Sequence, residues 1–245
     1  MSELNLRTCT LTGVDAWTDF GRMESLSRRF RFVEWGVLYS PGRQGQDNRY
    51  PSMGESSRWM DLRTKRACKL AMHVCGVGVS EVIGASAAWL EMWLTGFGRV
   101  QLNLRGDRFA AHDIASAVRK IRAGNPDRRV IIQLNSVNRE LCEELDGMTG
   151  LEMLWDASGG RGLLAKSWAK WGDPAHSRVA QCPWGYAGGL GPQNVVEELP
   201  KIAEAAGGRE FWIDMEQSLR DGEDMFDLDR AEAVLEMVNA ARLAC

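Results

Sequence analysis

The sequence predicts an α/β fold, a single closed (β/α)8 barrel, and three observations carry that expectation. Short apolar runs alternate with amphipathic helical stretches from end to end, the pattern of βαβ units on a parallel sheet. The strand–helix unit recurs eight times in 245 residues, which suits a closed barrel better than an open sheet. No low-complexity linker divides the chain, so residues 1–245 read as one domain.

The elements follow in order. Strands are expected at 7–12, 32–39, 69–75, 99–104, 129–135, 151–156, 178–186 and 210–215. Helices are expected at 15–29, 55–67, 79–94, 107–123, 138–147, 163–171, 192–206 and 227–242. Ser80 with Glu81, and Asp107 ahead of Phe109 and Ile114, have the chemistry of helix starts, while "AGN" at 123–125 has that of a stop.

Composition narrows the function classes. With a formal net charge of −3 and a pI near 5.7, there is no general electrostatic drive toward nucleic acid or an anionic membrane. Arg28, Arg29 and Arg31 form one local basic cluster, most simply a solvated helix end. No apolar run approaches the ~18 residues of a membrane helix, and no leader pattern is present. The six cysteines, at 9, 68, 75, 142, 182 and 245, form no CxxC pair. Reduced thiols in a cytoplasmic protein are the expectation. His73 and Cys75 share one face of a strand, but zinc needs further ligands and His112 and His176 lie in unrelated contexts. Neither metal nor cofactor is expected; the expected partner is a small molecule, possibly phosphorylated.

A (β/α)8 barrel places its chemistry where strands end and loops begin. Those positions carry Thr12, Asp15, Tyr39, Cys75, Asn103, Asn135, Asp156, Tyr186, Asp214 and Glu216, and the long loop 40–54 adds Arg43, Asp47, Asn48 and Arg49. Gln101 with Asn103, and Gln133 with Asn135, lie two apart and therefore share the inward face of neighbouring strands. Buried carboxamides must be hydrogen-bonded, so they either bond one another across the barrel or face a neutral polar ligand. Asp156 closes an apolar strand and precedes "SGGRG", with Gly160 and Arg161. It is a candidate general acid or base, with a helix cap or an ion pair to Arg161 as the structural alternative. In "YAGGLGPQNVVEEL", residues 186–199, Gly188 and Gly189 precede a helical pattern. Such a turn is either a plain corner or an anion site at a helix N-terminus.

Taken together, these landmarks resemble phosphoribosylanthranilate isomerase, a (β/α)8 barrel. "YAGGLGPQNVVEEL" is similar to its phosphate-binding GGL-x-P-x-NV turn, "LWDASGGRG" to its strand-six Asp and GG-x-G, and "RVQLNLRG" to its VQLHG strand. "YSPGRQGQDNRYPS" resembles its second loop and "FWIDMEQS" its last strand, over residues 7–240 in all. The resemblance implies an Amadori rearrangement of an aminoaldose by a general acid and a general base. It assigns the acid to Asp156, the anchor for the substrate's aromatic carboxylate to Arg49, a place beside the sugar to Asp214, and the phosphate turn to Gly188 and Gly189. Two departures stand out. "TLTG" puts Thr10 and Thr12 where the family has lysine and the cysteine base, and a threonine hydroxyl cannot act as base unaided; Asp15 or Cys75 are the nearest substitutes. Glu216 and Gln217 replace the serines that help hold phosphate, and a carboxylate repels phosphate unless Arg43, Arg161 or Arg220 offsets it.

Three functions follow from this reading: altered isomerase or lyase chemistry on a phosphosugar- or nucleotide-like molecule, non-catalytic binding of a nucleotide or metabolite, or the family's own reaction with a displaced base. An interaction surface at Trp168 and Trp171 is a fourth, weighed against their burial in the core.

Overall fold

The computed structural model describes residues 4–52, 68–104, 109–175 and 177–244. Eight parallel strands close into a barrel in sequence order: β1 (Leu6–Thr12), β2 (Val33–Tyr39), β3 (Leu70–Val74), β4 (Phe97–Leu102), β5 (Arg129–Leu134), β6 (Leu151–Asp156), β7 (Trp184–Ala187) and β8 (Phe211–Met215). Pairing of Thr10 with Asp214 and Leu11 with Met215 joins the last strand to the first. Among the described residues, seven α-helices surround the strands: α1 (Phe20–Arg29), α2 (Val77–Gly84), α3 (Ala87–Trp93), α4 (Ala111–Arg122), α5 (Arg139–Glu144), α6 (Val195–Ala206) and α7 (Leu228–Leu243). No described helix is long and apolar enough to cross a membrane.

Local chemistry explains the elements. In α4, Ala111, Ile114, Ala117, Val118 and Ile121 are buried, one stripe at helical spacing. Its last turn carries Arg119, Lys120 and Arg122, favourable at the negative end of the helix dipole. Asp19 caps α1 by accepting the Arg22 N–H, and Gly207 ends α6 in the left-handed conformation at φ 63°.

Four expectations require correction. The pattern at 163–171 forms no helix; this stretch instead lies over the β7 side of the barrel, with Trp168 buried and donating to Glu198 Oε2 at 2.7 Å. Trp171 is partly buried and stacks on Trp184, so this pair is packed inward rather than offered as an interaction surface. Strand seven begins at Trp184, not 178, because the Asp146 carboxylate takes the N–H groups of Ala180, Gln181 and Cys182 and holds them as a loop. The 79–94 stretch is two helices, the first starting at Val77 rather than at Ser80. The helix expected at 55–67 and the start expected at Asp107 lie outside the described residues.

Strand alternation sorts the barrel interior into levels. At the floor stand Glu34, Arg99, Glu152 and Trp212, all buried. Arg7 Nη2 donates to both Glu152 oxygens at 2.9 and 2.8 Å, while Arg99 lies 3.2 Å from Glu34 and 3.6 Å from Glu152. Both guanidinium groups stack over the Trp212 ring, at 4.5 Å for Arg99 and 5.2 Å for Arg7. The indole needs a glycine beside it: a β-carbon on Gly185 would lie 2.0 Å from Trp212 Cε2. Ile131, Leu154 and Ala187 join Trp212 in an apolar cluster above the floor. Over that cluster the interior opens.

Candidate functional site

A cavity of about 470 Å³ occupies the C-terminal mouth of the barrel. It gathers many of the expected residues: Arg43, Arg49, Gln101, Asn103, Gln133, Asp156, Gly160, Gly188, Asp214 and Glu216. The inward phase of β4, β6 and β8 accounts for Gln101, Asp156 and Asp214, each buried near a strand's end.

Asp214 is the centre of this site. Its Oδ1 accepts the Thr12 hydroxyl at 2.6 Å, and Thr12 is itself fully buried. Burial raises the Asp214 carboxyl from its ordinary 3.8 to about 6; the Thr12 bond and the Arg99 charge oppose that rise and the Asp156 charge adds to it. Gly36 makes room for this pair, because a β-carbon there would lie 2.3 Å from Thr12 Oγ1. Thr12 therefore stands behind the carboxylate as its hydrogen-bond donor, and is absent from the cavity lining.

Asp156 faces the same cavity with both oxygens engaged. Oδ1 accepts the Ser158 N–H at 2.9 Å and hydroxyl at 2.7 Å, and Oδ2 accepts the Gly160 N–H at 2.6 Å. The carboxylate thus shapes its own glycine loop. Arg161 makes no ion pair with it among the described residues; the Arg161 Nε donates to the Ser158 carbonyl, beside a neighbouring hollow.

Glu216 is pushed up by burial and by the Asp214 charge, while Arg49 pulls it down. Arg49 Nη1 donates to Glu216 Oε1 at 3.1 Å, Nη2 to Gln217 Oε1 at 2.9 Å, and Nε and Nη2 to Asp224 at 2.7 and 2.8 Å. One arginine thereby ties the loop after β2 to the loop after β8. Asp224, at φ 60°, also accepts from Arg220 at 2.8 Å, and these bonds hold its carboxyl below the usual range. Arg43 is spoken for by Asp47 at 2.9 Å and lies over the Tyr50 ring.

The amides on β4 bond along their own strand. Gln101 Nε2 donates to Asn103 Oδ1 at 2.8 Å, and Asn103 Nδ2 meets Cys75 Sγ at 3.1 Å. Gln133 lines the cavity on the next strand. Asn135 does not join them: its Oδ1 caps the N–H groups of Val137 and Asn138, outside the cavity. Asp15 is also elsewhere. It is buried, binds the N–H groups of Trp17 and Thr18, and takes the Phe226 N–H at 2.7 Å. Its role is to weld the first loop to the last, and it is not placed to act as a base. Cys75 does line the cavity, but burial pushes its thiol up, so it stays protonated at neutral pH.

The glycine turn is covered. Gly188 and Gly189 have φ 112° and 65°, and a β-carbon on Gly189 would lie 2.3 Å from the Leu164 nitrogen. The position of a β-carbon on Gly188 is 3.1 Å from the Leu163 carbonyl oxygen. The Gly191 N–H is taken by Asn194 Oδ1 at 3.0 Å.

Sequence reasoning passed over Tyr50 and His73 as ligand-facing residues. His73 lines the cavity, is buried, and its Nε2 has no hydrogen-bond partner. Burial lowers it to about 4, so the ring is neutral at pH 7. The signal was available, since His73 pairs in register with Gln101 and shares its inward phase.

No family model and no curated protein matches the chain. Among solved structures, TrpF from Jonesia denitrificans is similar at 17% identity and TM-score 0.57, over 96% of this chain and 97% of that one. Phosphoribosyl anthranilate isomerase from Thermus thermophilus is similar at 13% identity and TM-score 0.57, over 96% and 100%. The isomerase from Thermotoga maritima is similar at 16% identity and TM-score 0.56, over 97% and 100%. The chain thus has a (β/α)8 barrel like that of the phosphoribosylanthranilate isomerases, from one end to the other.

Proposed function

We propose that this barrel binds a small polar molecule in the cavity at its strand ends and moves a proton on it, as an isomerase or lyase, with Asp214 as the proton-carrying group. The observation that carries this reading is the buried Asp214 carboxyl, which opens on the cavity, is hydrogen-bonded by Thr12, and is raised to about 6. A carboxyl in that range populates both protonation states near neutrality, which acid–base chemistry requires. Asp156, whose charge raises Asp214, is the second carboxylate of the pair and fixes the glycine loop around the ligand. The role that resemblance gives to Asp156 is thus shared between two acids.

A phosphosugar or nucleotide is the ligand class the resemblance implies, and its phosphate would sit between Gly188 and Glu216. Arg49 would anchor a carboxylate only by giving up contacts it already makes with Asp224 and Glu216.

The test is solvent deuterium exchange. The protein is incubated in D2O with a set of aldoses, aminoaldoses and their phosphate esters, and carbon-bound deuterium is read by mass spectrometry. Incorporation that is present with the natural chain and lost in Asp214→Asn supports the reading; incorporation unchanged in Asp214→Asn removes Asp214 from its role. Binding of a member without exchange favours the second reading, a protein that holds its ligand unconverted. That reading draws on Thr12 in place of a thiolate and on the protonated Cys75 thiol. Complementation of a tryptophan auxotroph tests the family's own reaction, and no growth is expected.

A further inference from the structure

We infer that the group anchored at β8 is an organic cation, an alkylammonium or amidinium, rather than a phosphate. This deepens the reading above and rests on the same cavity.

Charge is the first observation. Asp156, Asp214 and Glu216 all line the cavity, and among the described residues neither Asp156 nor Asp214 has a salt-bridge partner. The two described cations that line the cavity are already matched, Arg43 by Asp47 and Arg49 by Asp224 together with Glu216, as is Arg99 by Glu34 and Glu152 below the apolar cluster; Arg161 lies beside the neighbouring hollow. A phosphate entering here brings a further charge of about −1.5 to −2 and meets no unmatched cation among the described residues that line the cavity. An ammonium or amidinium meets carboxylates that lack one, in a setting where low dielectric strengthens the attraction.

The glycine turn gives the second observation. Backbone of Leu163 and Leu164 packs directly on Gly188 and Gly189, and the Leu163 carbonyl oxygen faces Gly188. The Gly191 N–H already has an acceptor in Asn194. A phosphate beside Gly188 would face the Leu163 carbonyl oxygen and the Asp156 carboxylate, both repulsive to it, and could not draw on the Gly191 N–H.

His73 supplies the third, independent of the acids. Its Nε2 is buried, unpartnered and on the cavity wall, so it awaits a hydrogen bond from outside the described protein. The ring is neutral, and its neighbours Gln101 and Gln133 are neutral amides. The ligand is therefore cationic toward β8 and uncharged, with hydrogen-bonding groups, toward β3–β5.

Equilibrium dialysis of the full chain against an equimolar mixture tests this. The mixture contains glucosamine and agmatine as cations, N-acetylglucosamine as the neutral match for glucosamine, and ribose 5-phosphate with inorganic phosphate as anions. We expect an amine to be retained at least about tenfold over N-acetylglucosamine, and that preference to fall about tenfold in Glu216→Gln and in Asp214→Asn, the loss of one charge-assisted contact. Circular dichroism checks that each variant folds; if one does not, the preference of the natural chain between glucosamine and N-acetylglucosamine decides alone. Retention of ribose 5-phosphate or phosphate over both amines overturns the cation and leaves the binding cavity standing. Equal retention of glucosamine and N-acetylglucosamine does the same. Retention of no member overturns the cation and counts equally against the binding cavity.

Discussion

The Thr12 hydroxyl donates to Asp214 Oδ1 at 2.6 Å inside the barrel, across the seam where β1 meets β8. Threonine stands at the position that the resemblance gives to a cysteine base, and its hydroxyl supports a carboxylate. In the proposed function the proton-carrying group is thus a carboxyl on β8, beside β1. Its burial has a consequence for stability.

Asp214→Asn is expected to stabilise the fold at high pH and to change it little at low pH. The folded carboxyl titrates near 6 against 3.8 unfolded, so between those values the folded state binds more protons. Its favourable contribution is complete below about 3.8 and is lost as pH rises through about 6. Removing the charge should therefore raise stability by ~1–3 kcal/mol at pH 8. Urea melts of both proteins at pH 4 and pH 8 read the difference. A stabilised but exchange-inactive Asp214→Asn is the expected combination.

Arg49→Met is expected to loosen the loop after β2 while leaving the barrel intact. The side chain is 24% exposed and bonds Glu216, Gln217 and Asp224, so a global loss near 1 kcal/mol is expected after solvent screening. Amide exchange at residues 43–50 should accelerate more than exchange in the strands. Arg49→Lys should not rescue it, because a single ammonium cannot reproduce the fork on Asp224.

Glu152→Gln is expected to be among the costly polar substitutions. The carboxylate is 1% exposed and neutralises Arg7 and Arg99 at the barrel floor, so its loss leaves the buried Arg99 with Glu34 and Arg7 with the exposed Glu210. A destabilisation of about 2–4 kcal/mol is expected, read as a lowered thermal midpoint with no change in ligand retention.

Gly189→Ala and Gly207→Ala separate crowding from backbone strain. Both residues are left-handed, at φ 65° and 63°, but only Gly189 has backbone within 2.3 Å of the added carbon; Gly207 faces open space. Gly207→Ala should cost about 1 kcal/mol. Gly189→Ala should cost ~2 kcal/mol more, or displace the 163–164 segment, which its amide exchange would report.

The frame of this barrel was legible because both of its periods are strong. Ile114, Ala117, Val118 and Ile121 mark a helix face, and Val130, Ile132 and Leu134 mark the outer face of β5. Inward phase also located Gln101, Asp156 and Asp214. What failed has physical causes. The helical spacing of Trp168 and Trp171 reflects packing on Glu198 and Trp184 rather than a helix. The 178–183 segment looks like a strand, yet Asp146 pulls it into a loop from 34 to 36 residues away. Asp15, Asn135 and Arg161 sit at loop starts as expected, but each turns its side chain to backbone, Asn135 and Arg161 to their own loop and Asp15 to its own loop and Phe226. No spacing rule shows which polar groups a loop will use for itself.

A carbon-13 NMR titration of the Asp214 carboxyl, in the natural chain and in Thr12→Val, reads the proton-carrying group itself. A midpoint near 6 is expected, rising further in Thr12→Val because the hydroxyl that stabilises the charge is gone. A midpoint near the ordinary 3.8, unmoved by Thr12→Val, would contradict it.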